Sequence, residues 1–167
     1  MKKFIVVAVL VTVVGIGESF AQTQSVGQQA NVNMTVQTAM VLTNVGGRVL
    51  NFGTRAQGAT NITVDPITGG ANTAPFALTL APAGQVVNVS WTHVDMTNGG
   101  TTVTWAPSVS VNNVNVQGTS AVISSGGTVT ADGSGNAWMW VGGTIASIPG
   151  SAPAGAYNGS VTLTVSY

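Results

Sequence analysis

The 167-residue chain contains no cysteine, and charged side chains make up only 5% of it. Without thiols there is no disulfide framework, no thiolate metal site, no cysteine nucleophile and no cysteine attachment of haem. Any core must therefore hold without covalent staples. Four Lys and Arg stand against four Asp and Glu, with a single histidine. No basic field exists to draw in nucleic acid or an anionic lipid surface. Long apolar runs are as scarce, the one example being residues 4–16.

That run has informative flanks. Lys2 and Lys3 precede it, and Gly17-Glu18-Ser19-Phe20-Ala21 closes it with a small-x-small pattern before Gln22. A basic start, an apolar stretch too short to span a bilayer and such an ending predict a secretory signal peptide, cleaved after Ala21. A retained membrane anchor is the alternative. Cleavage leaves 167 − 21 = 146 residues, a single-domain length able to bury a core. The charges left are Arg48 and Arg55 against Asp65, Asp95 and Asp132, so 2 − 3 gives a net of −1 with His93 neutral. Thr, Ser, Asn and Gln take the place of charge. Such a surface lacks the repulsion that keeps copies apart, which favours packing against itself over a merely neutral exterior.

No helical period survives three turns. Segments of period two bounded by turn residues recur instead, predicting strands near 30–37, 48–53, 61–65, 76–80 and 85–94. Others are expected near 101–106, 108–117, 137–141, 143–148 and 157–167. Between them lie Pro66 to Gly70, Asn98-Gly99-Gly100, Gly126-Gly127 and Asp132-Gly133-Ser134-Gly135, residues that accept the positive φ of tight turns. Short strands at this spacing predict an all-β sandwich or barrel. The expected domain is a single antiparallel sandwich over 30–167, with 22–29 as a polar extension. There is no fixed-period repeat that would suggest a solenoid.

The chemical inventory is thin. His93 shares a strand face with Trp91 and Asp95, a pairing that could orient an imidazole as a base. No nucleophile signature accompanies it, so no enzyme is expected. Asp132, Ser134 and Asn136 are spaced like the start of a calcium loop, but without its acidic repetition or closing Glu; the same residues make a tight hairpin. No glycine cluster forms a phosphate cradle, and no metal or cofactor is called for. Trp91 and Trp105 read as core. Trp138 and Trp140, in a strand bulky on both faces, read as a candidate contact with a neighbouring subunit. Sequons at Asn33, Asn61, Asn88 and Asn158 arise readily in an Asn- and Thr-rich chain.

The final stretch is the most regular. Tyr157, Val161, Leu163, Val165 and Tyr167 fall on one face, and burying each such side chain is worth about 1.5–3 kcal/mol before entropy is counted. Leu50-Asn51-Phe52-Gly53-Thr54, Ala131-Asp132-Gly133, Val141-Gly142-Gly143-Thr144 and the ending from Pro153 to Tyr167 occur in that order. In these the chain resembles a family of small exported bacterial β-sandwich proteins, long labelled a domain of unknown function and similar to fimbrial subunits. The resemblance runs from about residue 30 to the end. It implies an immunoglobulin-like or pilin-like sandwich and a cell-surface or extracellular fibre whose subunits polymerise by donor-strand complementation, with copies of the chain as partners and an assembly chaperone or usher as a further one. Residues 22–29 offer only Val26 as an apolar donor. The alternating Ala30, Val32, Met34 and Val36 are therefore either donated to the next subunit or the subunit's own first strand. Two other architectures fit the ending less well: a small outer-membrane barrel, whose strands need about 9–11 residues, and a secreted sugar-binding module using the tryptophans.

Overall fold

The computed structural model describes residues 39–167. The expected signal peptide, the polar extension 22–29 and the strand with Ala30, Val32, Met34 and Val36 lie outside them. The described chain is all-β, as its alternation predicted: β1 (Val41–Asn44), β2 (Thr60–Val64), β3 (Ala74–Thr79), β4 (Val86–Asn98), β5 (Thr101–Val103), β6 (Ala106–Asn112), β7 (Ala121–Ile123), β8 (Gly127–Thr130), β9 (Ala137–Ser147) and β10 (Asn158–Ser166).

The strands form two antiparallel sheets. The larger runs β1-β3-β9-β6-β7, with β2 paired to β9 beyond the end of β3. In the smaller, β4 carries β10 along one edge and β8 then β5 along the other. The sheets pack face to face rather than closing into a cylinder, which overturns the barrel alternative. Two apolar clusters fill the interface. One joins Leu78, Val109, Met139 and Val141 to Val87, Val89 and Val129; the other gathers Phe52, Ile62, Val64, Val103, Trp105 and Ile145.

Several boundaries differ from the sequence expectation, each for a packing reason. Residues 48–53 are not a strand. Leu50 and Phe52 still turn inward, but the Asn51 N–H donates to Asn72 O and Gly53 adopts φ +70°, so the segment follows a loop instead of a ladder. The two strands expected at 137–141 and 143–148 are one, because Gly142 and Gly143 sit inside β9 where neighbours press closest. A Cβ at Gly142 would come within 2.2 Å of Val64 O, and one at Gly143 within 2.8 Å of Ala106 O. Val114 and Val116 leave the ladder after Asn112. β1, β7 and β8 are too short to announce themselves by periodicity. At the β4–β5 hairpin, Gly99 and Gly100 take φ +54° and +83°, the pair of positive values that a two-residue turn between twisted strands requires.

A bulge reorients β4. Asn158 pairs with Thr97 but Ser160 with Val94, so Gly159 faces both Asp95 and Met96. Before it Val87, Val89 and Trp91 point into the core; after it Met96 does. One extra residue thus lets a 13-residue strand serve both clusters.

The crowding at β9 is testable. Gly142→Ala should cost about 1–3 kcal/mol by overpacking against backbone that cannot retreat. Gly133→Ala, where an added Cβ meets nothing within 4 Å, should stay within about 0.5 kcal/mol of the parent. Urea unfolding of the two variants reads the contrast directly.

Candidate functional site

The two long sides of the sandwich differ. On one, β7 and β8 belong to opposite sheets and are joined by only three residues, Ser124 to Gly126. That turn is stitched to β4: Gly126 N–H donates to Val89 O, Asn88 Nδ2 to Gly126 O, and Trp91 N–H to Ser125 Oγ. This side is shut. The other side is bounded by β1 in the larger sheet and β10 in the smaller. Among the described residues β1 pairs only with β3, and β10 only with β4.

Burial follows this asymmetry. Leu78, Val87, Val89, Val109, Met139 and Val141 are fully inaccessible at the centre. Met40, Leu42, Leu50, Val161, Leu163 and Val165 touch the same core yet remain half-exposed. The expected apolar face of the last strand is therefore present, with Val161, Leu163 and Val165 inward and Tyr157 against the second cluster. Tyr167 departs from it. It follows the last paired residue, Ser166, and is 52% exposed. Sequence alternation located β10 and its face; it missed β1, whose Leu42 forms the opposite rim. Four residues with one inward leucine carry too little periodicity to find.

The tryptophans divide between the core and the outward face of β9. Trp91 packs on the core, and Trp105 is buried edge-on to Phe52 at 5.9 Å. Trp140 lies outward between Pro75 and Ser110 but is only 4% exposed, so it offers a neighbouring subunit almost nothing. This corrects its reading as a subunit contact. Its face is roofed by the chain's own loops: Ser110 Oγ and Gln117 Nε2 both donate to Pro66 O, and Gln117 Nε2 also reaches Thr73 Oγ1. Trp138, opposite Ala77 and Asn112, stays half-exposed. Of the two outward tryptophans, Trp138 is thus the accessible one.

His93 and Asp95 do meet, with Nε2 3.7 Å from Oδ1 and both side chains about one-third exposed. The imidazole stands edge-on to Trp105 at 5.3 Å, and Asp95 Oδ1 accepts the Trp105 N–H. Asp132 closes a turn. Its Oδ1 accepts the N–H groups of Ser134 and Asn136, and these bonds, the Asn136 one foremost, hold its carboxyl below the usual carboxylate range. The hairpin's own N–H groups thus engage Asp132 Oδ1. Among the described residues no three His, Cys, Asp or Glu come together as metal ligands.

The chain matches no known family model, and no characterised protein matches it in sequence.

Two outcomes are expected here. Replacing His93 and Asp95 together by Asn should leave circular dichroism unchanged and cost no more than about 1 kcal/mol, the range of exposed ion pairs. The folded Asp132 carboxyl titrates below its unfolded value, so its stabilisation is complete above the unfolded value. It disappears as pH falls through the folded one. Thermal melts of Asp132→Ala across the acid range should accordingly show a shallower pH dependence than the parent, with a lower midpoint at neutral pH.

Proposed function

We propose that the mature chain is a structural subunit of an extracellular or cell-surface fibre, assembled from copies of itself by β-strand complementation. The observation that carries this reading is the open side between β1 and β10. Half-exposed apolar side chains from both sheets line it, and both rims are strand edges with one ladder partner each among the described residues. An edge of that kind, with free N–H and C=O groups beside apolar pockets, is a template for one more strand. The alternating Ala30, Val32, Met34 and Val36 lie just upstream of β1 in the sequence. The near-absence of charge supports close packing of subunits, since nothing in the sequence sets up long-range repulsion between them.

The complementing residues are testable. Val32→Asp with Met34→Asp should abolish fibres in electron micrographs of material sheared from cells, while the secreted subunit still folds and binds a synthetic peptide of residues 30–36. If the strand completes its own subunit, the same pair of changes unfolds the monomer and the peptide rescues nothing. Parent protein found only as dispersed monomers, or a double variant that still polymerises, defeats the fibre reading.

A further inference from the structure

A second feature lies at one end of the sandwich, where the second apolar cluster is incompletely roofed. The loops 50–57 and 148–157 leave a cleft of about 620 Å³ between them, within the usual range for small-molecule sites. Its floor is apolar, made by Phe52, Met96, Val103, Ile145, Ile148 and Tyr157. Its walls are tied in place. Gln57 Nε2 donates across to Ala152 O, Tyr157 OH to Pro153 O, and the Ile148 N–H to Ala59 O.

One charge stands on this cleft. Arg55 lines it, and its Nε donates to Phe52 O at 2.7 Å, which fixes the stem of the guanidinium above the floor. The described residues hold only two guanidinium groups and no lysine, and the other, Arg48, donates to Gly70 O. Among the described residues Arg55 pairs with no carboxylate. Asp65 shares a smaller adjoining cleft with Arg55, but its Oδ1 already accepts the Ile67 and Thr68 N–H groups. A chain so poor in charge thus places a cation without a carboxylate partner at the mouth of an apolar cleft.

We infer that this cleft binds an amphipathic monoanion, an alkyl carboxylate of medium chain length. The alkyl chain lies on the Phe52–Tyr157 floor, where removing apolar surface from water supplies the affinity. The carboxylate takes the fork of Arg55 N–H donors that Phe52 O leaves free, a geometry guanidinium matches with two parallel bonds. The cleft thus selects on both properties: a neutral tail lacks the guanidinium contact, and a bare carboxylate lacks the floor. This site is separate in mechanism from strand complementation and holds or fails independently of it.

The test is calorimetric titration of the full secreted chain with decanoate below its micellar concentration, with decanol and acetate as comparators. Decanoate should bind saturably at one site, decanol at least ten-fold more weakly, and acetate undetectably. Arg55→Gln, at an exposed position, should keep the parent circular dichroism and weaken decanoate at least ten-fold while leaving decanol unchanged. Ile148→Glu should block both ligands, and its own circular dichroism separates a filled cleft from a lost fold. No saturable binding of decanoate overturns the inference. So does equal binding of decanoate and decanol, or an Arg55→Gln variant that binds decanoate as the parent does.

Discussion

Strand β9 is the element on which the larger sheet depends. Its first half pairs with β3, its second with β2, and its other edge with β6 from Trp138 to Thr144. Its inward face supplies Met139 and Val141 to one apolar cluster and Ile145 to the other. Three strands can converge on it only because Gly142 and Gly143 present no side chain where Val64 O, Pro66 and Trp105 approach. A side chain at either position would push apart the ladder and the face at once. The glycine pair, where the sequence expectation divided two strands, therefore holds the sheet together.

From that strand outward, closure is uneven. The β7–β8 turn stitches the two sheets along one side, and core residues near it reach full burial. Along the other side the same core ends in half-exposed side chains of β1, of β10 and of the loop at Leu50. A sandwich that buried every apolar residue would still have strand edges but no apolar area for a further strand to cover. The uneven closure gives the fibre reading its physical content: the apolar area left open on one rim is area that an incoming strand can remove from water.

Scarcity of charge shapes how polar groups are satisfied. Loops are held by amides, hydroxyls and carbonyls: Ser110, Gln117 and Ser120 converge on the Pro66 turn, and Asp132 closes its own hairpin. Among the described residues no buried side-chain nitrogen or oxygen lacks a partner. The bonds among Ser110, Gln117, Ser120 and the Pro66 carbonyl join neutral groups and are insensitive to salt, unlike exposed ion pairs. Against that background both guanidinium groups, Arg48 and Arg55, lack a carboxylate partner among the described residues, and Arg55 is the one that lines the apolar cleft.

Local sequence alone determined much of this fold. Alternation identified β2, β3, β4 and β10 and the inward face Val161, Leu163, Val165, because period two follows from the pleat itself and needs no knowledge of neighbours. The Asn98-Gly99-Gly100 turn was equally local. The sequence also placed Trp91, His93 and Asp95 on one face, and His93 and Asp95 do meet. What it could not yield was anything set by contact across the fold. The fate of Gly142-Gly143 depends on which backbones cross it, the burial of Trp140 on where the Pro66 turn is tied, and the loss of the strand at 48–53 on the bond from Asn51 to Asn72. The bulge at Gly159 and the open side between β1 and β10 likewise arise from pairing between segments far apart in sequence. Periodicity sees only the few residues on either side of it. Which edge stays open is decided by the whole set of strands at once.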